Sequence, residues 1–309
     1  MIINELLNIK YPFIQGGMAN ISNGKFAAAV SNAGGLGIIA SGGLTADQLI
    51  ENIKICKELT DKPFGVNIIM LHREIEKIAQ IVIDEKIDVV TTGAGNPEKY
   101  IENWKKNNIK VIPVVSNVAL ARKMEQIGAD MIIAEGQESG GHIGELSTMV
   151  LTPLIVSNVN IPVISAGGIA TGKQILAAEI LGAKGVQMGT VFLGTEECPI
   201  NEKYKEKILK AKSSNTTVIG RINGLPTRLL KNTMSKRYIE LEKNGASREE
   251  LELFTFGALR KSVNDGDLVN GSIMAGEVVE EVKKIEKTEV LLDRLYNDYL
   301  CEREKIKCL

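Results

Sequence analysis

This chain of 309 residues has few aromatic residues and almost no excess of charge of either sign. Aromatic side chains make up only 4% of the sequence, which weakens any case for a nucleic-acid site built on base stacking. Lysine and arginine number 37 against 38 aspartates and glutamates, so the net charge of −1 creates no general field that attracts nucleic acid or an anionic membrane. We therefore expect neither as a partner.

Long apolar runs and metal-binding motifs are lacking as well. No run approaches the roughly 20 residues of a membrane span, and the N-terminal segment shows no cleavable signal pattern, so we expect a cytoplasmic protein. The only imidazoles belong to His72 and His142, and no two cysteines have CxxC spacing. We therefore predict no metal site and reduced thiols. The four cysteines are Cys56, Cys198, Cys301 and Cys308.

Eight short apolar runs recur at intervals of roughly 25 residues, as strand–helix units do in a barrel of about 250 residues. They occupy residues 12–14, 36–39, 64–66, 89–90, 111–115, 131–133, 163–164 and 186–188. Amphipathic helical patterns lie between them, and Gly128 and Gly182 stand where helix C-terminal caps belong. The pattern predicts an α/β fold, a (β/α)8 TIM barrel. An open doubly wound sheet is the alternative, but no GxGxxG motif follows the first run.

The regular pattern stops near Thr195. Residues 196–265, which we call the cap segment, are polar and lysine-rich, and we expect them to cover the mouth of the barrel. Within the cap segment the sequence predicts a helix over 201–212 and a short strand over 216–219. Helical periodicity returns over 276–299, so we expect the barrel to comprise residues 1–195 and 266–309, with closing C-terminal helices.

Glycines follow several of the predicted strands, at the end of a barrel where chemistry takes place. Gly167-Gly168 after the seventh run and Gly189 after the eighth expose backbone N–H groups before a helix N-terminus, which is typical of a phosphate site. Gly16-Gly17 after the first run allows a flat ligand to approach the backbone closely. The alternative for each pair is a tight turn. Asn67 after the third run either binds a ring edge or caps the next helix.

His142 lies in the glycine-rich loop that follows the sixth run. An imidazole at this position can take or give a proton at cellular pH, and the alternative is a structural histidine. His72, in contrast, begins a charged helical stretch and is expected to be solvated. Glu135 and Glu138 are candidates for the paired acids of a glycosidase, but one ends a strand and the other lies in the loop, which disfavours that interpretation.

Six ordered motifs carry a family resemblance: 15–18 (QGGM), 65–67 (GVN), 91–95 (TTGAG), 135–142 (EGQESGGH), 166–169 (AGGI) and 271–276 (GSIMAG). Together they resemble the nitronate monooxygenase and enoyl-acyl-carrier-protein reductase II group of FMN-dependent TIM barrels, and within it the FabK-type enoyl reductases. The resemblance covers nearly the whole chain. It is highly specific for the group and less specific for the reaction.

The resemblance implies an FMN cofactor and an active-site role for His142. It places Gly16, Gly17 and Met18 along the isoalloxazine, Asn67 and Glu135 at the flavin, and Gly167, Gly168, Gly189 and Thr190 around the phosphate. It completes the cofactor site with Gly140, Gly141, Ala166, Met188, Ser272 and Met274. The chain departs from the resemblance at Glu277, where the family has glutamine.

The implied reaction is NADH- or NADPH-dependent reduction of a trans-2-enoyl group on acyl carrier protein, in bacterial fatty acid elongation, by a homodimer. The choice of nucleotide, the acyl chain length and the need for a monovalent cation stay open. Alternatives are a nitronate monooxygenase and a phosphate-ligand-binding barrel without flavin. Five cations of the cap segment form a candidate docking patch for an acidic carrier protein, the alternative being a solvated polar stretch. They are Arg221, Arg228, Lys231, Lys236 and Arg237.

Overall fold

A computed structural model describes residues 1–222 and 225–307. Its first nine strands are β1 (Phe13–Gln15), β2 (Gly37–Ala40), β3 (Phe64–Ile69), β4 (Val89–Gly93), β5 (Lys110–Val115), β6 (Ile132–Glu135), β7 (Gly141–His142), β8 (Val163–Ala166) and β9 (Gly185–Met188). All except β7 form one parallel sheet in the order β1-β9-β8-β6-β5-β4-β3-β2. A bridge between Ile14 and Leu36 joins its two edges. The predicted (β/α)8 barrel is confirmed.

Helices between the strands cover the outside of the barrel. They are α1 (Ile3–Leu6), α2 (Gly24–Asn32), α3 (Ala46–Leu59), α4 (Ile75–Asp84), α5 (Glu98–Lys106), α6 (Val118–Gln126), α7 (Thr148–Val156) and α8 (Gly172–Ile180). Gly128 and Gly182 follow α6 and α8 with φ of 97° and 98°, the left-handed conformation that ends a helix at glycine. Barrel side chains such as Ile14, Ile112 and Ile164 are completely buried, because they fill the interior.

The cap segment forms a small sheet with helices around it. Its elements are α9 (Glu202–Leu209), β10 (Thr216–Ile219), β11 (Thr227–Leu230), α10 (Thr233–Lys243), α11 (Arg248–Thr255) and α12 (Ala258–Arg260). The predicted strand at 216–219 is confirmed, whereas the helix predicted over 201–212 is shorter: Asn201 is its N-cap, and it ends at Leu209. The strand order β10-β11-β7 means that the cap segment pairs with the loop that carries His142. The division of the chain into a barrel and a cap segment, with boundaries after residues 195 and 265, remains a proposal.

The helical periodicity over 276–299 corresponds to two helical elements with extended chain between them. A 3-10 turn spans Glu277–Glu281, and α13 (Thr288–Lys307) begins only seven residues later. The intervening chain is extended because Glu286 donates its amide to the Gly194 carbonyl (3.1 Å) and accepts from the Glu196 amide (3.0 Å). The helix α13 then packs against α8 as expected, with Leu292 and Leu295 buried. In the described part of the chain, no helix has the length and apolarity needed to cross a membrane.

Candidate active site

The turn after β1 brings three of the candidate residues against the ends of β3 and β9. The Gly16 amide donates to the Met188 carbonyl (2.8 Å). A Cβ at Gly17 would lie only 2.5 Å from Cβ of Asn67, so glycine is required here. A Cβ at Gly189 would meet the flexible side chain of Met18, whose sulfur would lie 3.7 Å away. The backbone at Gly189 is therefore open to a ligand.

Two polar side chains hold this turn in shape, and sequence reasoning did not assign them a role. The buried Gln15 amide group donates to the Gly16 carbonyl (2.9 Å), and the Ser22 hydroxyl accepts from the Met18 amide (3.0 Å). The Asn67 side chain donates to the Thr91 hydroxyl (2.9 Å), which fixes the orientation of its amide. Polar residues close to a pair of glycines were the feature of the sequence from which these two roles could have been predicted.

The glycines after β8 and β9 present free backbone donors. Gly167 and Gly168 have φ of 92° and 69°. Within residues 1–222 and 225–307, the amides of Gly167, Gly168 and Gly189 donate to no protein acceptor. Unpaired backbone N–H groups at the ends of the neighbouring strands β8 and β9 are donors that an anion can use. Thr190 begins the 3-10 turn Thr190–Gly194, and its hydroxyl accepts from the Gly276 amide (2.8 Å).

A cleft of about 430 Å³ opens beside Gly167 and Gly168, and the carboxylates of Glu138, Glu277 and Glu281 also line it. Two of the three carboxylates have partners of their own. Glu138 accepts from the amide (2.9 Å) and the hydroxyl (2.9 Å) of Thr148, and thereby caps the N-terminus of α7. Glu277 pairs with Arg228. Two of the three carboxylates are therefore held by groups of the protein, and the third, that of Glu281, belongs to an exposed residue.

His142 occupies β7, which pairs with β11 so that Thr227 lies opposite His142 and Arg228 opposite Gly141. The imidazole is exposed to solvent, yet the protein around it desolvates the ring and lowers the pKa of His142. The neutral imidazole is therefore favoured at pH 7. A Cβ at Gly141 would meet only the Met274 sulfur at 3.6 Å, so space for a ligand lies next to this strand.

Glu135 and Ala166 lie side by side at the ends of β6 and β8, in register. Burial raises the pKa of Glu135 to about 7, against a smaller opposing effect of the Ser139 hydroxyl. The side chain retains partial exposure toward the barrel mouth. Glu138, in contrast, is fixed as the cap of α7, so the structure does not pair the two acids as a glycosidase would need.

The late motif 271–276 lies against Gly140 and Gly141, at the start of β7. A Cβ at Gly140 would lie 2.8 Å from the Ala275 carbonyl carbon, so these backbones are in contact. Met274 borders Gly141, and its carbonyl accepts from the buried Tyr204 hydroxyl (2.8 Å). Ser272 is placed differently, because its amide donates to the Ala258 carbonyl (2.9 Å) within the cap segment.

Two expectations about charged and polar side chains were wrong. His72 is not simply solvated: its Nδ1 accepts from the Glu74 amide (3.0 Å), so Nε2 carries the proton and donates to the Leu44 carbonyl (3.0 Å). Arg228 is only 6% exposed, because it lies on β11, whose four residues are all buried. It is therefore not part of a surface docking patch, and only Arg221, Lys231, Lys236 and Arg237 remain exposed.

The cysteines of the described structure are free thiols. Cys56 and Cys198 are buried free thiols, Cys301 is exposed and free, and Cys308 lies outside the described residues. Burial raises the pKa of Cys198 to about 12, which makes it unreactive. Across the described ranges, no group of three or more histidine, cysteine or acidic side chains is arranged to hold a metal ion.

Comparison with known proteins places these features in one family. The family model described as nitronate monooxygenase matches residues 1–81 and 74–298. A probable nitronate monooxygenase of Staphylococcus saprophyticus is 36% identical, over 74% of this chain and 78% of its own length. An indene-carboxyl-CoA dehydrogenase of Mycobacterium tuberculosis is also 36% identical, over 76% of this chain and 67% of its own length. The solved structure of FabK from Thermotoga maritima is 44% identical, covers 99% of this chain and 97% of that chain, and superposes with a TM-score of 0.96.

Proposed function

This chain belongs to the nitronate monooxygenase family of flavin oxidoreductases, and on that premise we propose that it reduces trans-2-enoyl thioesters carried on acyl carrier protein. NADH or NADPH is the proposed reductant and FMN the bound cofactor. One observation carries the proposal: the likeness to FabK extends over 99% of the chain at 44% identity, cap segment included. The carboxyl-CoA substrate in the name of the mycobacterial relative is also a thioester.

The proposed cofactor site joins the two clusters of glycines. Gly167, Gly168, Gly189 and Thr190 hold the phosphate, an assignment that the unpaired amides support. The ring lies along Gly16, Gly17 and Met18, with Asn67, Glu135, Gly140, Gly141, Ala166, Met188 and Met274 around it. Ser272 acts from one layer further out, since its amide hydrogen bond lies within the cap segment. FMN, when bound, would accept hydride from the nicotinamide and supply hydride to the enoyl β-carbon.

In the proposed reaction, residues of this chain orient the thioester and supply the proton that its α-carbon takes up. Reduction moves negative charge onto the thioester oxygen, where a positioned N–H donor lowers the barrier. The lowered pKa of His142 favours a neutral imidazole, whose N–H can hold that oxygen. A fraction protonated at pH 7 can also deliver the proton to the α-carbon, a step to which a positioned acid contributes about 10²–10⁴-fold.

The test is anaerobic stopped-flow mixing of the reduced, FMN-loaded enzyme with crotonyl thioester. We expect the thioester to reoxidise the flavin, as followed by the return of its visible absorbance. No reoxidation above the rate without thioester contradicts the proposal. Steady-state assays with NADH and NADPH, in sodium, potassium and ammonium chloride, test the nucleotide choice and whether the enzyme needs a monovalent cation. Sedimentation velocity tests the proposed homodimer.

A nitronate monooxygenase is the second candidate, and the probable nitronate monooxygenase at 36% identity is the observation that favours it. In that reaction His142 would act as a base, for which a lowered pKa is suitable because the imidazole is already neutral. Oxygen consumption with an alkyl nitronate under air measures this activity. Turnover of the nitronate together with inertness toward crotonyl thioester would favour this candidate over the reductase.

A further inference from the structure

Arg228 is a buried cation whose contacts bring together three distant segments of the chain. Its Nε donates to the Gln137 carbonyl (3.1 Å), in the loop that leads to β7. Its Nη1 contacts the Thr216 hydroxyl (3.3 Å) on β10 and forms an ion pair with Glu277 (2.9 Å) after the late motif. Burial lowers the pKa of Arg228 and the nearby Glu277 opposes that effect, but a guanidinium stays charged in either case.

The backbone around this guanidinium links the same segments. Arg228 lies opposite Gly141 in the β11–β7 pairing, and the Ile143 amide donates to the Pro226 carbonyl (3.0 Å). The Glu277 amide donates to the Glu138 carbonyl (2.9 Å). The loop 137–142 is therefore held from the cap segment on one side and from Glu277 on the other, with the Arg228–Glu277 pair at the junction.

We propose that Arg228 and Glu277 are positioning residues that fix His142 for its reaction with substrate. A strand of two residues has little stability of its own, and β11 is its neighbour in the sheet. The orientation of the imidazole therefore depends on what anchors 137–142 to β11. The ion pair supplies that anchor through the Gln137 carbonyl and through the fixed position of β11. The kinetic part of this proposal rests on the proposed function, and its structural part does not.

A purely structural role for the pair predicts a different pattern of defects. Loss of general stability would lower FMN content and both half-reactions together. Loss of positioning would leave FMN binding and reduction of the flavin by NADH or NADPH intact, and would slow the step that needs His142. Displacement of a reacting group by about 1 Å can lower a rate by roughly 100-fold. The ratio of the two half-reactions therefore separates the two roles.

The experiment compares FMN-loaded Arg228→Met with Arg237→Met, since Arg237 belongs to the same segment, is exposed and pairs with the exposed Glu240 one helical turn away. We expect Arg228→Met to slow flavin reoxidation by crotonyl thioester by roughly 100-fold, with less than about threefold change in reduction by nicotinamide. Hydrogen exchange of peptides covering 137–144 should accelerate in Arg228→Met and not in Arg237→Met. Unchanged exchange, or equal loss in both half-reactions, overturns the proposal.

Glu277 provides the second pair of variants, which covers the case in which Arg228→Met does not fold. Glu277→Gln keeps an oxygen acceptor for Nη1 and should retain reoxidation and exchange rates close to the wild type. Glu277→Ala removes the acceptor and should show both defects. Equal behaviour of Gln and Ala variants overturns the role of the pair. If the wild type itself fails to reduce the thioester, the proposed function is wrong, while the hydrogen-exchange comparison still decides whether the pair anchors 137–144.

Discussion

Replacement of Glu135 by glutamine should make the protein more stable at neutral and alkaline pH and should hardly change its stability below about pH 4.5. Burial raises the pKa of Glu135 from 4.5 to about 7. Below the unfolded value the carboxyl is protonated in both states and its ionisation has no effect on stability. As the pH rises toward 7, the unfolded chain releases this proton while the folded protein retains it, so the wild type loses stability.

The size of the effect follows from the change in pKa. A rise of about 2.5 corresponds to about 3 kcal/mol of unfolding free energy, at roughly 1.4 kcal/mol for each tenfold change in proton affinity. This value is an upper limit, because the side chain retains partial exposure and water reaches the ionised carboxylate. The difference in stability between Glu135→Gln and the wild type should therefore grow between pH 4.5 and pH 7 and stay constant above.

The assay is urea unfolding of the apoproteins from pH 4 to pH 8.5, followed by the fluorescence of Trp104, the single tryptophan, which is fully buried. The difference between variant and wild type cancels all other titrating groups. Glu51→Gln, on the exposed face of α3, is the control for loss of a glutamate. Parallel stability curves for Glu135→Gln and the wild type, or a gain that appears only at acid pH, would refute the reasoning.

Three further predictions concern the site. His142→Ala should keep FMN but slow flavin reoxidation by enoyl thioester by about 10²-fold or more, with little change in reduction by nicotinamide; stopped-flow rates that fall equally would assign His142 to binding. Gly168→Ala forces a side chain into φ of 69° and places its Cβ 3.1 Å from Cβ of Glu138, so the FMN content of the purified protein should fall. Gly245→Ala is the control: its φ is 83°, its Cβ would enter open space, and the protein should keep FMN. Glu138→Ala removes the cap of α7 at Thr148 and should lower unfolding free energy by about 1–2 kcal/mol; an unchanged urea midpoint contradicts this role.

The barrel and its glycine loops could be predicted because their signals are local. A strand buried on both faces is a short apolar run, and a helix that ends in the left-handed conformation requires glycine at one place, as at Gly128 and Gly182. The open amides of Gly167 and Gly168 follow from the same logic, since glycine pairs after a strand leave backbone donors exposed. Each of these features depends on residues within one strand–helix unit.

The strand at 216–219 of the cap segment was predicted from its local pattern, but the pairing of the cap segment with the barrel could not be, because it joins distant residues. Leu229 and Leu230 on β11 are fully buried, and Arg228 is buried with them, because successive residues of a strand face opposite sides and all four residues of β11 are buried. A cation on such a strand must find its partners inside the protein, which Arg228 does at Gln137, Thr216 and Glu277. A cation in the sequence can therefore belong to a docking surface only where its side chain is exposed, which excludes Arg228 and leaves the four exposed cations of the patch as candidates. Here the charge serves the loop of His142 instead, through contacts that no local pattern encodes.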